Sequence, residues 1–148
     1  MKDDIACTAG ELVKKYGTSS PFSLCDCMDI PIVRMDIPDC TKGFCFKNAC
    51  GGHVIVLSDR LSRRESGYCC AHELGHVLLH PKMNARVIKD LTCMYLPKYE
   101  KEADFFAACL FIDPNLEEWN ETYDPLTFQQ IASLSGLPEK IVELRFER

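Results

Sequence analysis

One stretch constrains this chain more than any other: CCAHELGHVLLHP, from Cys69 to Pro81. Just upstream, Ser62-Arg63-Arg64-Glu65 fits a capping box. In that arrangement the serine hydroxyl takes a free N–H three residues on and the glutamate reaches back. A helix is therefore predicted from there to about Leu79, with Gly67 inside it and Pro81 as its stop. Each helical residue turns about 100°, so positions four apart return to within about 40° of one face. His72 and His76 then point the same way, one turn apart.

That spacing offers two imidazoles to a single zinc ion, at about 2.0–2.1 Å each. Glu73 is rotated one step away. It is badly placed to bind the same ion but well placed to reach a water bound to it. Zinc lowers the pKa of such a water to about 7, and a neighbouring carboxylate can take its proton and pass it to a leaving amine. Glu73 is thus the predicted catalytic base. This division of labour is why the H-E-x-x-H spacing recurs in metallopeptidases. Gly75 lets another segment approach the helix closely, at about 1 kcal/mol relative to alanine. The bland alternative is a packed helix whose two histidines are hydrogen-bonded in the core.

A catalytic zinc needs three protein ligands and one open position. The segment KYEKEADFFAACLF supplies the third. Pro97 suits the first turn of a helix over 98–111, closed by Asp113-Pro114. On it Glu100, Ala103, Asp104 and Ala107 share a face, while Glu102 is displaced from Glu100 by about 160°. Glu100 is the predicted third ligand. Asp104, one turn on, would accept the second N–H of a ligating histidine and fix its tautomer. Ala103 and Ala107 are small enough to bring the two helices together. Glu102 reads as a solvated acid.

Around this pair, residues 3–16 read as a helix with Ile5, Leu12, Val13 and Tyr16 on one face and Gly17 as its stop. Residues 21–28 read as a second, short helix. IPIVRMDIP, GFCF and HVIVLS are strand candidates, the last two joined by KNACGG, whose paired glycines suit a tight turn. The expected fold is α+β: about three antiparallel or mixed strands packed on a metal-binding helix pair. A C-terminal helical segment follows, with helices near 125–134 and 138–146. The expectation is a single domain over 1–148, with strands and first helix in 1–60, metal-binding helices in 61–112 and the tail in 113–148. Residues 82–96 give no clear pattern.

Composition narrows the class. The chain has 148 residues, 47% of them hydrophobic, enough for a single core. A net charge of -5 argues against direct nucleic-acid or membrane-surface binding as the main role. The acidic opening MKDDIACTAGELVKKYG lacks the apolar core of a secretory signal, and no apolar run reaches the roughly 18 residues of a membrane span. The expected location is the cytoplasm. There the 10 cysteines stay reduced, so buried or half-exposed thiols are expected rather than disulfides. The spacings Cys25-x-Cys27 and Cys40-x4-Cys45-x4-Cys50 do not match the usual paired zinc knuckles. One zinc ion is the expected cofactor.

CCAHELGHVLLHP followed by YEKEADFFAACLF resembles the ImmA/IrrE family of small cytoplasmic metallopeptidases, found in phages, mobile elements and bacteria. The order of the first helix, the short strands, the GGHVIVLS strand before the metal helix and the acidic-alanine helix is similar too. Two details depart from the family pattern: Asp104 stands where asparagine is common, and the second helix ends CLFIDP rather than in Leu-Met-Pro. The resemblance implies His72, His76 and Glu100 on zinc with Glu73 as general base. It further implies a narrow-specificity endopeptidase, acting as a monomer, that cuts a helix-turn-helix transcriptional repressor as an anti-repressor. The alternative is a metal-bearing regulator that binds such a repressor without cutting it.

Several other residues call for a reading. His80, near the helix end, is expected to bond the last carbonyls. His53, Val54 and Val56 are expected on an edge strand that pairs with the substrate backbone. Tyr68, Tyr95, Tyr99 and His53 are all candidates for stabilising an oxyanion, with nothing to choose among them. Cys69 and Cys70 read as small buried thiols. The tail PLTFQQIASLSGLPEKIVELRF looks like a helix-turn-helix, but its second helix mixes charges, so packing or substrate docking is expected rather than DNA reading.

Overall fold

The computed structural model describes residues 2–38, 41–81, 97–122 and 125–147. Tyr95, Cys40 and the 82–96 connection lie outside the described residues. Helix α1 (Lys2–Tyr16) buries Ile5 and Ala9, with Asp3 and Asp4 in its first turn and Lys14 and Lys15 in its last. That charge order complements the helix dipole. It ends at Gly17, whose φ of 70° is the left-handed conformation that favours glycine. Helix α2 (Pro21–Cys27) starts with Ser20 as N-cap and Pro21 in its first turn.

Three strands follow: β1 (Ile32–Met35), β2 (Gly43–Lys47) and β3 (His53–Ser58). They form a mixed sheet in the order β1-β3-β2. β1 runs parallel to β3, with Ile32 opposite Ile55, and β2 runs antiparallel to it, with Cys45 opposite Ile55. The β2–β3 turn is tied by Asn48, whose side-chain oxygen accepts the N–H groups of Cys50 and Gly52. Gly51 in that turn has a φ of 86°.

This order overturns one expectation. The strand with His53, Val54 and Val56 is central, not an edge. Val54 and Val56 pair with Phe46 and Phe44 on one side, and Val56 pairs with Val33 on the other. Its apolar run is the signature of a strand covered on both sides, rather than one offered to a substrate. Among the described residues, the sheet edges are β1 and β2.

Helix α3 (Arg63–Leu79) carries the expected capping box between Ser62 and Glu65. Helix α4 (Pro97–Ile112) packs against it. Both are buried on more than one face, α4 through Phe105, Phe106, Ala107, Ala108, Leu110 and Ile112. They form the middle of the protein rather than a surface layer. Ile55 and Leu57 of β3, Leu24 and Cys25 of α2, and Ile5 and Ala9 of α1 join them in one core. Arg34 of β1 reaches across to donate to the Ser66 hydroxyl at 2.8 Å.

The tail forms α5 (Leu116–Thr122), α6 (Phe128–Ser135) and α7 (Glu139–Phe146). Helix α5 has no counterpart in the sequence reading. Helix α6 opens with a Thr127–Gln130 capping box and closes at Gly136, with φ 80°. Ile131, Ala132, Leu137, Ile141 and Val142 pack on Ala108 and Ile112 of α4, which supports the reading of the tail as a packing unit. No helix among the described residues is long and apolar enough to cross a membrane.

Candidate metal centre

The close contact of α3 and α4 is made by their smallest residues. A methyl group on Gly75 would lie 3.2 Å from the Ala103 Cα and 3.3 Å from its carbonyl oxygen. With Ala103 on the contact line, helical geometry places Glu100 about 60° and Asp104 about 100° to one side. Both acids therefore reach the histidine face of α3.

There, His72 Nε2, His76 Nε2 and a Glu100 carboxylate oxygen all lie within 4.8 Å of one another. The two Nε2 atoms are 3.2 Å apart. Glu100 Oε1 stands 2.8 Å from His76 Nε2, and its Oε2 stands 3.4 Å from His72 Nε2. Four-coordinate zinc with bonds of about 2.0–2.1 Å spaces its donors about 3.3–3.4 Å apart. The spacing of the two Nε2 atoms is close to this, and Glu100 turns one oxygen to each histidine. The donor set of two neutral imidazoles and a carboxylate fits a divalent cation with an open position.

His72 is oriented by Asp104. Its Nδ1–H donates to Asp104 Oδ1 at 2.7 Å, which aims Nε2 at the other donors, where a cation would displace its proton. Burial favours the neutral His72 ring, but the bonds to Asp104 and Glu100 outweigh it and hold the pKa up at about 10. For His76, which is 1% exposed, burial wins and the pKa falls. Burial also works against a charged Glu100, yet its bonds to both histidines hold it down at about 2.

Glu73 lies on the same helix, 6% exposed. Burial pushes its pKa up to about 7, and the Cys45 thiol of β2 hydrogen-bonds its carboxylate. Its Oε2 is buried with no hydrogen-bond partner. A buried orphan oxygen costs about 1–3 kcal/mol, which marks a group kept for chemistry rather than packing.

Two sequence expectations fail around this centre. Glu102 is not a solvated acid, for its side chain is 14% exposed and meets His80 Nε2 at 3.1 Å. The displacement that matters is measured from Ala103, not from Glu100. From Ala103, Glu102 is about 100° away, as far as Asp104 but on the other side. His80 does not spend its ring on helix carbonyls. Only its backbone N–H bonds the His76 carbonyl, while its ring sits between His76 and Glu102.

The oxyanion candidates also separate. Tyr68 donates to Asp104 Oδ1 at 2.5 Å, and burial beside that carboxylate raises its pKa, so its hydroxyl keeps the proton. Tyr99 lies over the His80 ring, centroids 4.4 Å apart. His53 opens β3 opposite Lys47, outside the donor group. Cys69 and Cys70 are buried as expected. Burial lifts the Cys69 thiol to about 12, and a bond to Cys25 together with burial raises Cys70, so both are poor nucleophiles. Among the described residues, His72, His76 and Glu100 form the sole cluster suited to a metal.

Comparison with known proteins gives the family. The family model described as the IrrE N-terminal-like domain, Peptidase M78, matches residues 25–147. The chain belongs to the ImmA/IrrE family of metallopeptidases. The match takes in α3, α4 and the whole donor cluster. An uncharacterized immunity region protein 2 of Bacillus phage phi105 is 33% identical over 135 residues, 90% of this chain and 84% of that one. The metallopeptidase ImmA of Bacillus subtilis (strain 168) is 24% identical over 138 residues, 93% of this chain and 80% of that protein. The family assignment extends the resemblance carried by the two helix motifs across most of the chain.

Proposed function

We propose that this chain is a zinc-dependent endopeptidase that cleaves a helix-turn-helix transcriptional repressor, acting as a monomer in the cytoplasm. The observation that carries the catalytic part is the pairing of a three-donor cluster with Glu73, a buried carboxylate whose Oε2 has no partner. His72, His76 and Glu100 hold the ion. Zinc there supplies Lewis acidity toward water and the scissile carbonyl. Glu73 takes the proton of the attacking water and delivers it to the leaving amide nitrogen, a role suited to a carboxyl whose pKa lies near neutrality. Asp104 keeps His72 in the ligating tautomer, and Tyr68 in turn holds Asp104.

A substrate strand would fit the open edge of β2. The register pairs even-numbered β2 residues with β3 through the hydrogen bonds that flank them, Lys42 with Ser58 and Asn48 with Gly52. Odd-numbered Cys45 and Lys47 then turn their backbone groups to the open edge. Because Cys45 also touches Glu73, a peptide added to that edge would run past the catalytic base. The repressor assignment draws on the phage immunity region named for one relative and the metallopeptidase named for the other.

The test is to incubate the zinc-loaded protein with the repressor encoded beside it and read fragments by mass spectrometry. Wild type should cut at one site. Glu73→Gln should bind the same zinc and leave the repressor whole. Equal loss of DNA binding by the repressor with wild type and Glu73→Gln, with no fragment, would mean binding without cleavage.

A further inference from the structure

The two histidine ligands are supported differently. His72 has a carboxylate directly on its Nδ1. His76 has another histidine there: its Nδ1 lies 3.0 Å from Nδ1 of His80, and His80 Nε2 lies 3.1 Å from Glu102 Oε1. The side chains of His76, His80 and Glu102 are 0%, 6% and 14% exposed, so this row is withdrawn from water. Tyr99 covers the His80 ring. We propose that His80 and Glu102 are positioning residues for the metal centre: together they keep the proton on His76 Nδ1 and so present His76 Nε2 as a ligand. This deepens the zinc reading above and rests on it.

With His76 Nε2 as a ligand, the hydrogen-bond chemistry allows one assignment. A neutral imidazole has one donor and one acceptor nitrogen. Two Nδ1 atoms 3.0 Å apart must therefore be one of each. Suppose His80 donated. Its Nε2 would then carry a lone pair aimed at the Glu102 carboxylate, two acceptors facing each other in a buried site. The His76 proton would sit on Nε2, where it would block ligation. The opposite assignment satisfies the row, and it belongs to the loaded site, where a cation takes the His76 Nε2 lone pair that would otherwise face Glu100 Oε1 at 2.8 Å. His76 Nδ1–H donates to His80 Nδ1, and His80 Nε2–H donates to Glu102. Glu102 thus selects the tautomer of a ring it does not touch. The intermediary is needed because Glu102 and Asp104 lie on opposite sides of Ala103, and only Asp104 falls on the side of His72. Three buried polar side chains are costly unless each is bonded, and this row bonds them all.

The experiment measures zinc affinity by competition with a chromophoric chelator, on metal-free proteins shown to be folded by circular dichroism. It compares wild type, His80→Phe, His80→Gln and Glu102→Gln. His80→Phe fills the space without an acceptor and should bind zinc about 10–100-fold more weakly. His80→Gln can accept from His76 and donate to Glu102, so it should stay within a few-fold of wild type. Rescue by glutamine but not by phenylalanine is a result that mere packing would not give. Should His80→Phe not fold, Glu102→Gln keeps the shape. Glu102→Gln should bind zinc several-fold more weakly, and nitrogen-15 NMR of the zinc-loaded wild type should show His80 protonated at Nε2 and bare at Nδ1. Wild-type affinity in His80→Phe, or equal loss in Gln and Phe, or His80 protonated at Nδ1 in the zinc-loaded wild type, would overturn the relay alone. A wild type that takes up no zinc would overturn the metal reading with it.

Discussion

Gly75 of α3 and Ala103 of α4 are in backbone contact: a Cβ on Gly75 would lie 3.2 Å from the Ala103 Cα. This contact sets how far Glu100 and Asp104 reach toward the histidines. Gly75→Ala would gain about 1 kcal/mol of helix propensity but lose about 1–3 kcal/mol to overpacking against backbone that cannot rotate away. The expected net is a loss of about 1 kcal/mol in urea unfolding of the metal-free protein, with zinc affinity reduced. A variant that is more stable and binds zinc as tightly would show that the contact has slack.

The acids of α4 should separate by their effect on metal. Glu100→Ala removes a donor and should abolish stoichiometric zinc. Glu102→Ala leaves all three donors and should retain one zinc per chain with weaker affinity. Elemental analysis after desalting distinguishes them, and the reverse order would exchange their roles.

Asp104 bonds both Tyr68 and His72 through one oxygen. Asp104→Asn keeps an acceptor there and should cost little. Asp104→Leu leaves a buried hydroxyl and a buried ring N–H without a partner, at about 1–3 kcal/mol each. Zinc affinity should fall about 10–100-fold as His72 loses its fixed tautomer. Equal affinities for the Asn and Leu variants would remove Asp104 from the site.

Chelation should lower the melting temperature without unfolding the protein at 25 °C, because α3 and α4 are packed by Leu74, Phe106 and Leu110 independently of any ion. With free metal at about 100 times Kd, binding stabilises the fold by about 2.7 kcal/mol, or about 5–10 °C for a chain of this size. Scanning calorimetry with and without chelator reads this directly. A protein that unfolds outright on chelation would have a structural metal instead.

The parts of the site that follow from local rules were legible in the chain. The i, i+4 spacing of His72 and His76, the Ser62–Glu65 box and the small Ala103 and Ala107 each fix geometry within one helix or at one contact. What escaped depends on relations between elements. Strand order is not encoded in any single strand, so β3 could be read as an edge although its unbroken apolar run fits a central strand. The direction of Glu102 does not follow from its offset to Glu100, because the contact line runs through Ala103. His80 follows from the same point: a histidine at a helix end bonds carbonyls only when no buried carboxylate is nearer.

The open edge of β2 yields the last prediction. Lys47 is exposed, and its register directs its N–H away from β3. Lys47→Pro therefore removes a hydrogen bond available to a substrate strand while sparing the β2–β3 ladder. It should preserve zinc content and fold, and slow repressor cleavage about tenfold, roughly the 1.4 kcal/mol of one such bond. Phe46→Pro, whose N–H points into the sheet, should instead destabilise the protein. The pair of variants separates recognition from folding: circular dichroism and zinc content report the second, and the cleavage rate of Lys47→Pro reports the first. Unchanged cleavage by Lys47→Pro would move the substrate off this edge.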